Sequence, residues 1–594
     1  MSTVRQLSNP RFLRRRQLLQ VGGAAGLASI LLAACGQSAA PTPAPAAQPT
    51  TASAPAAQPT AAAQPAATSA PTAASAAPTT AAAAAPTSAP SSATPGAASA
   101  TSGSIKRGGT LNAVVQNDFV TMWPVVTTGP TAMPCYDWLI GWRRGPDGQF
   151  GPQPELAESW ELSGNAATFK LRQGVTFHDG SPLNAAAVQW NIQQMVTYPK
   201  SIAKVALEAI DATKPADVVD DYTVRINLKY ADGGLLAALS DAEATTAIVS
   251  KAAFDKLGAD GLSRQAVGTG PFIFDNWQPN NQLVVKRNPK YWQKGADGQA
   301  LPYLDQIIYK TIPDDSVRSL QMLSGTSDLT ELIRATDIAK VKSTPTLVYD
   351  QTSWMGNRYR FVFNAKKPPF GNNLKLRQAV QYAINRDAVA QALGQGVGVP
   401  LKYDLNPGQL GYSDTVPYYG YDPTKAKQLV KDAGYPNGLP VRLTVISRQL
   451  DVQQAQMLQQ MLGDVGIKVT VESLERTAWV KKVREQNDFE MATQRTGTSY
   501  DPDPLFTLSW AASGPAAYSR ASTPEVEACL TTARSSYDVA FRQKQYATCQ
   551  ADMYNTAWWG YIWMQPWNYV YNKRVNNVPA LWGEEWQEEL LWKS

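Results

Sequence analysis

The chain has 594 residues, with 54 Lys and Arg against 48 Asp and Glu, a single histidine and four cysteines. Five of its positive charges (Arg5, Arg11, Arg14, Arg15 and Arg16) stand in the first 104 residues without any Lys, Asp or Glu, so removing them from the formal +6 leaves residues 105–594 at +1. A near-neutral body has no electrostatic footprint for a phosphate backbone, which argues against nucleic acid; with His178 as the lone histidine and no CxxC pair, a Ser-His-Asp triad or a histidine-rich metal site has almost nothing to be built from.

In chain order, Arg14-Arg15-Arg16-Gln17-Leu18-Leu19 forms a basic n-region, and Leu18 to Ala34 follows as a weakly apolar stretch diluted by Gly22, Gly23 and Gly26. It is short for a membrane span, which needs about 20 mainly apolar residues, and it reads as a signal peptide over 1–35. Leu32-Ala33-Ala34-Cys35 closes it like a bacterial lipobox, with the Cys35 thiol as acyl acceptor. The paired arginines fit a twin-arginine route as well as the ordinary Sec route. Residues 36–104 contain only Ala, Pro, Thr, Ser, Gln and Gly. Such a segment cannot bury enough apolar surface to offset its ordering entropy. It is expected to be a disordered tether of roughly 45 Å as a coil and at most about 210 Å extended, open to O-glycosylation.

The body reads as recurring α/β units. Leu376, Val380, Ala383 and Ile384 mark a helix face; Asp422-Pro423 opens another helix, with Asp as N-cap and Pro at the first turn, and Gly434 closes it. Val441-Arg442-Leu443-Thr444-Val445 alternates like a half-buried strand, Leu458, Met461, Leu462 and Val465 follow at helical spacing, and Ile467, Val469 and Val471 alternate again. Strand, helix, strand in this order predicts a right-handed crossover and a partly parallel sheet. Cys529 and Cys549 fall on successive helix-like stretches; in an exported protein they are either bridged or two buried thiols. The cluster Trp558, Trp559, Tyr561, Trp563 and Trp567 reads as packing between lobes.

A set of motifs then runs through the body in a fixed order. Ile105-Lys106-Arg107-Gly108-Gly109-Thr110-Leu111 comes first, then Pro154-Glu155-Leu156-Ala157-Glu158-Ser159-Trp160, and Thr168 to Gly180 ending in Phe177-His178-Asp179-Gly180. Gly268-Thr269-Gly270-Pro271-Phe272, Arg287-Asn288-Pro289-Lys290-Tyr291-Trp292, Leu301-Pro302-Tyr303-Leu304-Asp305, Phe363-Asn364 with Pro369-Phe370, Arg377-Gln378-Ala379 and Ala433-Gly434-Tyr435-Pro436 continue it. Together they resemble the extracellular solute-binding proteins of family 5, the oligopeptide, dipeptide and nickel-binding class. The resemblance implies an α/β, two-lobed fold of the periplasmic-binding-protein type II kind. Its first lobe would take 105–148, 264–350 and 556–594, its inserted subdomain 149–263 and its second lobe 351–555, and it would close on ligand about a hinge. It also implies a non-enzymatic role: capture of a peptide or peptide-like solute for the permeases of an ABC importer, by a lipid-anchored, extracytoplasmic monomer without cofactor or metal. Opine-like conjugates, glycans and metal chelates remain as alternative solutes, and a sensory binding protein as an alternative role. A secreted hydrolase using paired carboxylates is the rival class, and no such pair stands out.

The resemblance places the ligand segment at Gln494 to Pro504. The aspartate that anchors a peptide amino group in peptide-binding members matches Ser499, whose neutral hydroxyl cannot supply charge-assisted pairing. Asp501 and Asp503 are the nearby substitutes, or turn formers. Tyr500 would line the cavity and Arg495 would reach a carboxylate. Trp354, Tyr359 and Trp510 are candidate aromatic walls near strand ends and hinge segments. His178 falls in a turn, Phe177 to Pro182, and reads as structural.

Overall fold

The alternating segments pair as their pattern predicts. The ten strands along the main sheet are β1 (Thr110–Val115), β2 (Phe272–Gln278), β3 (Gln282–Arg287), β4 (Gln306–Thr311), β5 (Leu329–Glu331), β6 (Leu347–Phe363), β7 (Leu439–Ile446), β8 (Ile467–Leu474), β9 (Met491–Thr496) and β10 (Trp559–Asn572). Their spatial order is β8-β7-β9-β6-β10-β5-β1-β4-β3-β2. The computed structural model describes residues 105–594 except 128–130, 145–149, 241–243, 498–500, 513, 515–517, 520 and 579–586, and leaves out the side chains of Arg144, Phe150, Ser353, Trp354, Met355 and Leu508. The signal peptide, Cys35 and the linker over 36–104 lie outside the described residues.

In the second half of the chain, β7 runs parallel to β8 through helix α1 (Gln449–Asp464), and parallel to β9 on its other side. Leu439, Val441, Leu443 and Val445 of β7 are buried, and Leu458 and Leu462 of α1 pack into the same core. The Asp422 side chain caps the helix Pro423–Asp432 by accepting from the Lys425 amide at 2.8 Å, a contact of about 1 kcal/mol. Helices α2 (Asp503–Ser509), α3 (Pro524–Arg534) and α4 (Val539–Thr556) follow. A disulfide joins Cys529 of α3 to Cys549 of α4, with Cα atoms 5.6 Å apart.

A separate four-stranded antiparallel sheet lies within residues 157–227, and its Phe169, Val224 and Ile226 share one continuous core with Leu111 and Ile307 of the main sheet. A second core, from Tyr359 to Trp563, fills the other lobe. The family-like motifs tie the first lobe together. Asp137, buried, accepts from Thr269 Oγ1 at 2.7 Å, Tyr291 OH at 3.0 Å and Trp292 Nε1 at 3.0 Å. The Gly109 amide donates to Asp305 at 2.9 Å. His178 holds the Phe177–Gly180 turn against the Gly268–Pro271 loop: its amide donates to the Gly268 carbonyl at 2.8 Å and its ring Nε2 lies 3.0 Å from the Gly270 carbonyl oxygen. Burial pushes its pKa down, as expected for a neutral structural imidazole.

The lobes join through β6 and β10. Their antiparallel ladder runs from Leu347–Asn572 to Val362–Trp559 and is interrupted between Gln351 and Gly356. Gly356 faces Pro566, which has no N–H for the ladder, and a Cβ at Gly356 would stand 2.2 Å from the Gln565 carbonyl oxygen. A broken ladder at a close backbone crossing is where two halves of a sheet can bend relative to one another.

Candidate ligand-binding site

In the second lobe the chain goes from β7 to one side, into β8, and then returns to the other side of β7 as β9. Ligands of open α/β sheets sit outside the carboxyl ends of the strands at such a reversal. The side chains found there are Arg448, just past β7, and Arg495, near the end of β9.

Strand register assembles the rest. Tyr359 of β6 lies directly opposite Arg495 of β9 and opposite Trp563 of β10, so the three side chains share one face. A register shift next to Tyr359 puts Tyr561 opposite Arg360, leaving Ile562 as the extra residue; the bulge turns Trp563 and Tyr561 to opposite faces. Tyr359 and Trp563 stack at 4.6 Å with ring planes 7° apart. Trp563 Nε1 donates to Gln454 Oε1 of α1 at 2.8 Å. Arg448 Nε donates to Asp451 at 2.6 Å; Asp451 is buried, whereas the Arg448 side chain is 36% exposed. Burial raises the Asp451 pKa and Arg448 works against that rise; burial likewise raises the Tyr359 phenol against the pull of Arg495. Among the described residues no carboxylate pairs with Arg495, which is exposed. Tyr359 and Trp563 are themselves buried, at 1% and 0% exposure, so of this group it is the guanidiniums of Arg448 and Arg495 that reach solvent, the chemistry an anionic group would pair with.

Tyr359 and Arg495 are thus brought together, as cross-strand neighbours. The other expected ligand residues fall elsewhere. Asp501 is buried and receives both Nη1 and Nη2 of Arg542, at 2.7 and 2.9 Å. Asp503 is buried against Arg534 Nε at 3.1 Å and Tyr546 OH at 3.2 Å. Both carboxylates are therefore already neutralised by internal partners, which leaves no free charge for a ligand ammonium in this conformation. Trp510 is 2% exposed and stacks on Phe506 at 3.7 Å, within the lobe core. Ser499, Tyr500 and the Trp354 side chain lie outside the described residues. Arg448, Asp451 and Gln454 escape a motif search, and Trp563 falls in the aromatic cluster whose sequence pattern reads as packing between lobes. The usable signal for Arg448 was its place at the carboxyl end of the β7 segment.

The opposite face of β6 carries a buried charge cluster instead of a ligand contact. Arg358 and Arg360 are fully buried there with Asp404; Arg360 donates to Gln494 at 2.9 Å, Asp404 at 3.0 Å and Ser509 at 2.9 Å, and lies 4.5 Å from the Trp559 ring.

Two lobes sharing a hinge, with cations at the carboxyl ends of parallel strands, define a solute-binding protein of the type II periplasmic class. Residues 151–518 match the model of the bacterial extracellular solute-binding proteins, family 5. The heme-binding protein A of Haemophilus influenzae is 30% identical over 71% of this chain and 80% of its own length. The glutathione-binding protein GsiB of Pectobacterium atrosepticum is 32% identical over 68% of this chain and 79% of its own. The periplasmic binding protein DppA of Helicobacter pylori, solved with the peptide STSA, superposes with a TM-score of 0.67 at 25% identity, covering 80% of this chain and 96% of that one. The chain belongs to family 5 of the bacterial extracellular solute-binding proteins, the substrate-binding components of ABC importers. It works outside the cytoplasm, in a family of binding proteins rather than enzymes.

Proposed function

We propose that this protein captures a peptide-like solute bearing at least one free carboxylate and delivers it, without turnover, to the permeases of an ABC importer. The observation that carries this is the pair Arg448 and Arg495, set at the carboxyl ends of β7 and β9 with Asp451 as their one carboxylate neighbour among the described residues. The likeness to glutathione-binding relatives supports the same chemistry, because glutathione is a tripeptide with two carboxylates. An opine-like conjugate is the second reading. The binding protein AgaA, solved with agropinic acid, superposes at 26% identity with a TM-score of 0.67, and such a conjugate also presents a carboxylate.

Tyr359 and Trp563, buried in the second core, back the two guanidiniums, and Ser499, Tyr500 and Trp354 are assigned as further ligand contacts. Asp501, Asp503 and Trp510 support the site from behind. Closure about Gly356 and Pro566 buries the solute. We further assign Cys35 as the lipidated first residue of the mature chain and 36–104 as the tether that lets a monomeric body reach its permease.

The test is to purify the protein natively, release its bound solute by mild denaturation and identify it by mass spectrometry. A carboxylate-bearing peptide or conjugate is expected; a solute without an acidic group overturns the reading. Tyr500→Ala should weaken glutathione, used as the probe, without lowering thermal stability. Globomycin-sensitive processing and palmitate labelling lost in Cys35→Ser test the anchor.

A further inference from the structure

Away from the ligand site, the inserted sheet region touches the second lobe through a small loop. The Gly233 amide donates to the Arg534 carbonyl at 2.7 Å. A Cβ on Gly233 would stand 2.1 Å from the Ser536 carbonyl oxygen, so the loop backbone lies directly on the connection between α3 and α4. Arg534 Nη1 donates to Glu208 of the inserted region at 2.7 Å while its Nε holds Asp503 at 3.1 Å. Tyr537 OH donates to the Gly164 carbonyl at 3.1 Å. These contacts link residues from opposite sides of the hinge.

The charges in this seam do not balance. Asp232, Asp501 and Asp503 are each buried to under a tenth of their surface. Arg542 spends both Nη atoms on Asp501, and Arg534 is shared between Asp503 and Glu208. Asp232 accepts from the Gly234 amide at 2.9 Å and has no ion-pair partner at salt-bridge distance among the described residues. The other groups that face it or its neighbours are phenols: Tyr230, bonded to Glu208 at 3.2 Å, Tyr537, and Tyr546, bonded to Asp503. His178, the only histidine, sits in its own turn on the Gly270 carbonyl.

We propose that this seam is a proton-dependent latch between the lobes: Asp232 seats against the second lobe as the neutral acid, and its ionisation drives the lobes apart. The proposal rests on hinge closure but not on the identity of the solute. Burial and the neighbouring Asp503 push the seated Asp232 carboxyl up to about 7, against the opposing pull of Arg534. Released into water it returns to the ordinary 3.8. The closed form therefore binds more protons between those two values. Its extra stability is complete below the lower one and is lost as the pH rises through the upper one. Ligand retention would be strengthened in acid surroundings and relaxed in alkaline ones, without any contact between Asp232 and the ligand.

The experiment is fluorescence energy transfer in the full-length protein in detergent, without ligand, with dyes at V219C and L374C, two exposed positions on the two lobes. Between pH 5 and pH 8.5 the wild-type ratio of closed to open molecules should fall by about tenfold to a hundredfold. Asp232→Asn keeps the shape but cannot ionise, so it should stay closed across the range. Gly233→Ala should stay open across the range, because its Cβ collides with the Ser536 carbonyl. A wild-type distance that ignores pH, an Asp232→Asn protein that opens as the wild type does, or a Gly233→Ala protein that closes at pH 5 each overturns the latch. The carboxylate-binding reading can fail with this result intact, since no ligand is present.

Discussion

Replacing Arg495 by Gln removes a cleft guanidinium that has no carboxylate partner among the described residues, while keeping a polar side chain. Arg448, by contrast, is already held by Asp451 at 2.6 Å and must loosen that bond to serve a ligand. A hydrogen bond to a charged group is worth about 1.5–3 kcal/mol net, so Arg495→Gln should weaken a carboxylate ligand by about 10- to 150-fold. Arg448→Gln should cost less than about tenfold in affinity by the same conversion. It should cost more in stability, because it strips the buried Asp451 of its partner. Calorimetric titration with glutathione, beside denaturant unfolding of each variant, separates the two effects. Equal affinities of wild type and Arg495→Gln would refute the reasoning, as would a larger affinity loss at Arg448 than at Arg495.

Three further outcomes follow from the packing. Asp501→Asn leaves the buried Arg542 without its bidentate partner and should cost about 3–5 kcal/mol in urea unfolding while the folded protein keeps its affinity; lost affinity at unchanged stability would return Asp501 to the ligand residues. Replacing Cys529 and Cys549 together by Ser should lower stability by about 3 kcal/mol, the loop-closure value for a separation near 20 residues, and an unchanged guanidinium midpoint would show that the bridge contributes nothing. Gly356→Ala pushes a Cβ onto the Gln565 carbonyl and should cost about 1–3 kcal/mol by overpacking, with a changed extent of ligand-induced closure in the same transfer assay; a variant identical to wild type in both would place the bend elsewhere.

The fold was readable because its signals are local. Period-two alternation in 441–445 and 467–471 and the Asp422 cap depend on neighbours in sequence, and they formed as written. The motifs around His178, Asn288 and Tyr291 were readable as a set, although their reason, convergence on Asp137 and on the Gly268–Pro271 loop, is visible only in three dimensions. The site was half readable. Arg495 could be named from the family resemblance and Tyr359 as an aromatic near a strand end, but their adjacency depends on strand register, and the placement of Trp563 beside them depends on a one-residue bulge at Ile562. Asp501 and Asp503 are indistinguishable in sequence from free carboxylates. Their partners, Arg542 and Arg534, come from helices some thirty or more residues further on, and no local pattern announces a long-range ion pair.

The same strand end serves both ideas about this molecule. Arg495 closes β9 on the ligand side, and the chain that follows enters the turn whose Asp501 and Asp503 are bound to Arg542 and Arg534 beneath the Asp232 loop. A solute that draws Arg495 inward pulls on one end of this segment, while the latch holds the other. Asp501 is pinned by a buried bidentate ion pair to Arg542, and closure of the lobes on a solute brings the Asp232 loop onto the same second-lobe surface. Ligand capture and lobe contact are therefore expected to be coupled, and reciprocity requires that a solute which favours closure also raises the proton affinity of Asp232. Proton uptake on glutathione binding, read from the buffer dependence of the calorimetric heat near pH 7, should appear in the wild type and vanish in Asp232→Asn. Uptake that survives the substitution would mean that another group carries the proton and that the two ends of the segment act independently.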